Sequence, residues 1–453
     1  MRSDNKSSSM FSSFQPWLIC CMGMLFYCYN YVLRVSPSVM QNDLTQTFHI
    51  TATQFGTLAA FYYYAYTPMQ LPAGMIYDKF GTRAILFFAC LSAIAGLAIF
   101  ISADSLGMAS AGRFLIGFGT AFSYIGALKL ASVWLPPTRF ATAAGLATAL
   151  GMSCGALSQK YLTKVVEVIG YKHALHTVLI IGMVLSFAIL FIVKSRPKQP
   201  INKANEMQAP MTLKQLGSAL RIISTNPQMW LIGMVGCLLY LPASVFLDLW
   251  GIPYLKTVYQ LSPEQAVNIS DITFLGWIIS GPIVGMISDK IKRRRTPLMI
   301  SGVIAATLLC VIFYVPGITL TGLYILFFLT GFSCGSHPLC FALGKENNPA
   351  PISGTSVAIT NMLIMLGGAL CQPLVGKLLD LHTNSPIGAN GLPVYTAGDY
   401  TFALSIVPLG VALGIIITMF LKETYCESQA QEADEHLFIQ PVLGLKPETQ
   451  GVN

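Results

Sequence analysis

Twelve apolar runs, each near the roughly 20 residues that a helix needs to cross a bilayer, dominate this chain: 16–36, 53–76, 84–102, 107–130, 141–164, 173–193, 228–248, 268–288, 297–315, 318–341, 352–377 and 401–421. Of 453 residues, 54% are hydrophobic and only 10% are charged, against about 25% charged in an ordinary soluble domain. No soluble core could hide so much apolar surface, so lipid must be the solvent for most of the chain. The expected fold is all-α and polytopic, with twelve transmembrane helices in two pseudo-symmetric six-helix bundles. Gly and Pro within the runs are tolerable, because packed helices satisfy the backbone groups they free.

The polar stretch 195–227 divides the runs six and six. It carries Pro197, Pro200 and Pro210 and is rich in Lys, Asn and Gln. The expected organisation is a bundle at 1–194, a cytoplasmic linker at 195–227, a second bundle at 228–423 and a cytoplasmic tail at 424–453. Residues 211–224 have the spacing of a short amphipathic surface helix. Met1 to Ser12 are polar and lack a signal peptide's apolar core. With the N-terminus inside, nineteen Lys and Arg residues fall on the cytoplasmic side, against Lys160, Lys164, Lys172, Lys256 and Lys377 on the other. The positive-inside rule then puts both termini in the cytoplasm. The net charge of +8 therefore reads as membrane topology rather than nucleic-acid binding. Most of the cysteines lie in or beside apolar runs and act there as small hydrophobes.

One charged hairpin recurs half a chain apart. Gly74-x-x-x-Asp78-Lys79-Phe80-Gly81-Thr82-Arg83 is matched by Gly285-x-x-x-Asp289-Lys290-Ile291-Lys292-Arg293-Arg294. Each joins the second and third helices of its half on the cytoplasmic side. The glycines would admit a close neighbouring helix, and the aspartates would reach partners in the other bundle. Contacts of this sort, stable in one conformation and broken in another, suit an alternating-access machine. Gly74, Asp78, Lys79, Gly81, Arg83, Gly285, Asp289, Lys290 and Arg293 are thus gating candidates.

The twelve spans, the basic linker, the paired hairpins and Arg113-Phe-Leu-Ile-Gly117-Phe-Gly119-Thr-Ala121 in the fourth run resemble the major facilitator superfamily over nearly the full length. Gly145, Gly151 and Gly155 in the fifth run fit too. The resemblance implies a central cavity with a mid-membrane solute site. Arg113 is expected to brace its bundle or couple to the gate rather than to touch solute.

Ionisable groups inside the membrane cost several kcal/mol and mark functional sites by default. Arg34 stands on one helical stripe with Tyr27, Asn30 and Tyr31. A guanidinium amid phenols and an amide suits a carboxylate or phosphate. The second run adds Tyr62, Tyr63, Tyr64, Tyr66 and Gln70, of which Tyr62, Tyr66 and Gln70 share a face. In the eleventh, Asn361 and Gln372 flank Gly367 and Gly368 and suit a polar lining. Asn30-Tyr31-Val32-Leu33-Arg34 with Gln70-Leu71-Pro72-Ala73-Gly74, and Gly112-Arg113-Phe114 through Trp134-Leu135-Pro136-Pro137, look like the organic-anion branch, which includes sugar-acid and other carboxylate symporters. That resemblance gives Arg34 and Tyr66 contact with an anionic solute. The solute-binding candidates are therefore Arg34, Tyr31, Asn30, Tyr66, Gln70 and Asn361.

The chain departs from that branch at Leu33 and Thr120, where proton-carrying acids are usual, so proton coupling is not implied by the resemblance. The remaining coupling candidates are Asp248 and His337. Asp248, like Asp271, is read near the outer end of its helix, where boundary acids are ordinary.

No P-loop, nucleophile triad, haem, flavin or zinc pattern occurs, so the chain is not expected to be an enzyme or to hold a cofactor or metal. The reading is a monomeric secondary transporter in a lipid bilayer, on the pattern of a bacterial inner membrane. It moves a small polar solute that bears a carboxylate. An amino-acid or short-peptide uniporter or exchanger, and a non-transporting receptor on the same scaffold, are the rivals.

Overall fold

Long apolar runs must satisfy their backbone groups internally, and in lipid that means helices. The computed structural model, which describes residues 5–194, 213–382, 388 and 391–427, bears this out. The readings made on 195–212 and on the tail beyond 427 lie outside the described residues.

In chain order the helices are α1 (Asn5–Val39), α2 (Gln41–Phe48), α3 (Ala52–Phe80), α4 (Thr82–Ile101), α5 (Leu106–Trp134), α6 (Pro137–Ile169) and α7 (Tyr171–Ile192). They continue with α8 (Leu213–Thr225), α9 (Pro227–Leu239), α10 (Gly251–Val258), α11 (Pro263–Ile291), α12 (Arg295–Tyr314), α13 (Leu320–Cys334), α14 (Leu339–Glu346), α15 (Ser353–His382), α16 (Ala397–Leu404) and α17 (Ile406–Thr418). Among the described residues, 11 segments are long and apolar enough to cross a membrane. Helix α3 completes the dozen: its 29 residues would reach about 44 Å at 1.5 Å per residue, although its tyrosines and polar side chains lower its hydropathy. The surface helix expected at 211–224 is α8.

The first six spans run unbroken. Three of the later six are interrupted. The seventh passes from α9 through a π-wound stretch, Pro242–Trp250, into α10. The tenth turns at Gly335 to Pro338 between α13 and α14, and the twelfth breaks at Ser405 between α16 and α17.

Packing divides the chain into two units. One comprises 1–209, 243–275 and 368–405; the other comprises 210–242, 276–367 and 406–453. The first unit therefore holds the six N-terminal spans together with parts of the seventh, eighth, eleventh and twelfth.

Within the first unit, small residues let backbones touch. A Cβ on Gly117 of α5 would lie 2.0 Å from the Tyr62 carbonyl oxygen of α3. Gly96 of α4 and Gly112 of α5 face each other, and a Cβ on either would come within 2.7 Å of the other's carbonyl oxygen. In lipid, where no water drives helices together, such approaches supply much of the packing energy.

The contrast with Gly145 of α6 makes this testable, since a Cβ there meets nothing within 4 Å. Gly117→Ala forces backbone apart and should cost about 1–3 kcal/mol, seen as a lower thermal midpoint in detergent. Gly145→Ala should leave the midpoint unchanged or raise it, Ala being the better helix former by roughly 1 kcal/mol. The reverse order would contradict the packing of α3 on α5.

Candidate solute site and gates

Arg34 of α1 and Asp248, 214 positions apart, meet inside the first unit. The guanidinium Nε donates to Asp248 Oδ2 at 2.8 Å and Nη2 donates to the same oxygen at 2.5 Å. Tyr63 of α3 donates its phenol to that oxygen at 2.6 Å. The two charged side chains are only 4% and 2% exposed. Rings of Tyr31 and Tyr63 lie 5.5 and 5.3 Å from the guanidinium carbon and add cation–π attraction. A buried ion without its partner would cost several kcal/mol, so Arg34 must always hold an anion, and here the anion is Asp248.

The surrounding residues fix Arg34 in place. Arg113 of α5 donates through Nη1 to the Leu33 carbonyl at 2.7 Å, and its guanidinium lies 5.3 Å from the Tyr62 ring. That hydrogen bond falls on the backbone beside Arg34. Asn30 donates to Ser123 Oγ at 3.1 Å and accepts from the Tyr62 phenol at 2.5 Å. Tyr66 stacks on Tyr62 with centroids 5.3 Å apart, and Gln70 is buried one turn further on. Tyr27 and Tyr31 pack edge to face at 5.2 Å. Their rings occupy the space left by Gly151 and Gly155 of α6, where a Cβ would come within 2.6 and 3.0 Å of them.

Further toward the ends of the helices opposite the hairpins, Asp380 of α15 caps the start of α3. It accepts from the Thr53 backbone N–H at 2.9 Å, the Thr53 hydroxyl at 2.5 Å and the Ala52 N–H at 3.2 Å, and from the Tyr395 phenol. A carboxylate on a helix N-terminus satisfies donors that the helix cannot and complements its dipole. Burial, and then the bond to Asp380, push the Tyr395 phenol above its ordinary range.

The hairpins bind within their own units, which corrects the expectation that their aspartates would reach the other bundle. Asp78 pairs with Lys129 of α5 at 2.5 Å. Asp289 pairs with Arg294 at 2.6 Å. The glycine expectation is corrected too: a Cβ on Gly74 or Gly285 meets nothing within 4 Å. The turn residue of the first hairpin, Gly81, has φ 82°, and its counterpart Lys292 has φ 50°. That left-handed turn, with the Arg293 N–H bonded to the Ser288 carbonyl, sends Arg293 outward beside the Tyr425 ring, 6.0 Å away. It sends Arg294 inward. Arg294 donates to Glu346 Oε1 at 2.8 Å and to Ser288 Oγ at 3.0 Å, while Glu423 accepts from its backbone N–H at 2.7 Å. Burial opposes the Arg294 charge, but Glu346 and Asp289 outweigh it and hold the guanidinium above its ordinary value.

A profile described as Major Facilitator Superfamily matches residues 18–371. The chain belongs to that superfamily. It is 24% identical over 279 residues to the probable sulfoacetate transporter of Cupriavidus necator, covering 60% of this chain and 64% of that protein. It is 20% identical over 400 residues to the probable galactarate/D-glucarate transporter of Escherichia coli K12, covering 80% and 86%. Among solved structures it matches a bacterial homologue of the human lysosomal transporter Spinster, in an inward-facing and unoccupied conformation, with TM-score 0.69 and 14% identity over 91% of this chain and 96% of that one. These relatives are transporters, not enzymes, and the chain is a multi-pass membrane protein of the same kind.

The solute-binding candidates of α1 and α3 fall in the first unit. His337 and Asn361 fall in the second. His337 packs there against Tyr240 and Trp277, with centroids 4.9 and 5.2 Å away. Asp248 is no boundary acid: it is 3% exposed. Asp271, half-buried, has a carboxylate oxygen with no hydrogen-bond partner among the described residues. Sequence reasoning missed Tyr63 as a bonding residue, Arg294 as the inward member of its basic run, and Glu346, Glu423 and Asp380 altogether.

Removing Arg294 would leave Glu346, with its side chain 12% exposed, facing no guanidinium. Arg294→Ala should therefore cost roughly 3–5 kcal/mol. Arg293→Ala should cost less than about 1 kcal/mol. Thermal unfolding of the two purified variants measures the difference, and equal midpoints would refute the assignment of Arg294 as the hub.

Proposed function

We propose that the chain is a secondary transporter for small organic anions in which Arg34 is the anion clamp and Asp248 is its counter-ion when no solute is bound. The observation that carries this reading is the buried Arg34–Asp248–Tyr63 triad. A solute carboxylate offers Arg34 the same chemistry as Asp248 and can take its place. The relatives named for sulfoacetate and for galactarate and D-glucarate support an anionic solute, and Tyr31, Asn30, Tyr66 and Gln70 supply a polar and aromatic lining around it.

Charge accounting couples the solute to a proton. The empty site holds Arg34⁺ and Asp248⁻ and is neutral. A bound carboxylate with Asp248 still ionised leaves one uncompensated negative charge in a dry interior, at a cost of several kcal/mol. A proton on Asp248 removes that charge, so a site loaded with a monocarboxylate is neutral as well; a dianion such as tartrate needs a second proton, on its free carboxyl, to be carried neutral. Both states can then reorient, and the half-loaded state cannot. This assigns Asp248 the part that the absent acids at Leu33 and Thr120 play in the branch. The hairpin pairs Asp78–Lys129 and Asp289–Arg294 hold each hairpin rigid within its own half, so that the hairpins move as gate elements with the two six-helix halves as these rock. Both termini lie in the cytoplasm of a bacterial plasma membrane, and the chain works as a monomer.

Proteoliposome uptake of gluconate, a monocarboxylate, and of the dianions tartrate, galactarate and sulfoacetate tests the reading. Acidifying the compartment from which the anion enters should drive accumulation by the wild type. Arg34→Ala should weaken anion binding roughly ten- to a hundredfold. Asp248→Asn should still exchange anion for anion yet not accumulate it down a proton gradient. Normal uptake by Arg34→Ala, or gradient-driven accumulation by Asp248→Asn, would refute the mechanism.

A further inference from the structure

Asp248 sits in an unusual backbone. Nine residues, Pro242–Trp250, are wound as a π-helix. Such winding is rare, is commonly a single turn, and gathers at functional sites. A stretch this long needs support from outside the helix, and two buried glutamines in the first unit provide it.

Gln159 of α6 is 0% exposed. Its Nε2 donates to the Leu247 carbonyl at 2.8 Å and to Ser38 Oγ at 3.2 Å, and its Oε1 accepts from Ser270 Oγ at 2.7 Å. Gln372 of α15 is 2% exposed. Its Nε2 donates to the Ser244 carbonyl at 2.7 Å, and its own backbone carbonyl accepts from Trp250 Nε1 at 3.1 Å. Two side-chain amides from separate helices thus grip carbonyls of the π-wound stretch, one of them on the residue just before Asp248. Trp250 is pinned further by Phe55, edge to face at 5.5 Å.

We infer that Gln159 and Gln372 are positioning residues that hold helix seven in its π-wound register and thereby aim Asp248 at Arg34. Rewinding to α-helix would take up one residue, turning the downstream residues by about 100° and moving them by about 1.5 Å. That is enough to carry a carboxylate off the Nε and Nη2 bonds. The two amides therefore set how firmly Asp248 competes with a solute anion for the guanidinium. This consequence rests on the proposed function; the holding of the register does not.

The sign of the effect separates positioning from general damage. With the grip lost, Asp248 competes less well, so anion binding should tighten. Turnover should fall, because the empty carrier no longer returns with Arg34 paired. A merely structural lesion weakens both.

The experiment uses full-length protein carrying Gln159→Leu or Gln372→Leu, with Gln159→Asn, one methylene shorter but still an amide, as the milder variant should Leu not fold. Hydrogen–deuterium exchange of the peptide spanning 242–250 should rise in each variant while peptides from α4 and α12 stay unchanged. Galactarate and tartrate titrations should show a several-fold lower Kd alongside a several-fold lower rate of net uptake. In an Asp248→Asn background the same glutamine substitution should leave Kd unmoved, since contacts that act only through Asp248 are not additive with its loss. Unchanged exchange at 242–250 would overturn the proposal. So would weaker binding that adds to the Asp248→Asn effect. If no probe anion binds even the wild type, it is the organic-anion reading that fails, and the exchange data alone then decide whether the glutamines hold the register.

Discussion

A guanidinium buried among membrane helices cannot be left alone. That constraint fixes much of this molecule's architecture. Arg34 requires an anion at all times; Asp248 supplies it, Tyr63 shares its oxygen, and Arg113 braces the backbone carbonyl beside it. The anion comes from a residue 214 positions away, so the pair also ties a late segment of the chain to the first six spans. An interaction that satisfies a chemical need and closes a structure at the same time can be exchanged for a solute without leaving the need unmet. That exchange is the physical basis of the proposed transport cycle.

The rest of the first unit holds the surroundings of that pair in place. Asp380 caps α3, Gln159 and Gln372 grip the π-wound stretch, and close backbone contacts such as Gly117 on Tyr62 set the helices at short distances. The hairpins are held by charge. Each carries its ion pair inside its own unit, with Asp78 on Lys129 and Asp289 on Arg294. The second adds Glu346 and Glu423 around one half-turned arginine.

Much of this was legible in the sequence, for a physical reason. The bilayer imposes length and hydropathy on every spanning segment, so the helices and the repeated hairpins could be read directly. Arg34 stood out because charge is rare in such a chain, and Asn30 and Tyr31 were marked by helical spacing. The partners were harder. Nothing local marks Asp248 as the mate of Arg34, and its depth became evident only with the π-wound segment that carries it. Tyr63 lies off the stripe that Tyr62, Tyr66 and Gln70 share. Arg294 is one of four successive basic residues, Lys292 to Arg295, and only the left-handed turn at Lys292 decides which of them faces inward. Glu346 and Asp380 sit at helix ends and Glu423 in the chain beyond α17, where acids are common and composition gives no signal.

The central claim is that a solute anion replaces Asp248 on Arg34 and that Asp248 then takes a proton. Its most direct test is the number of protons taken up when gluconate, a sugar acid with a single carboxylate, binds the purified protein, measured by calorimetry in buffers of different ionisation enthalpy. The mechanism predicts about one proton per anion carboxylate bound to Arg34 in the wild type and about none in Asp248→Asn. The same proton count in both proteins, or no uptake in either, would contradict it.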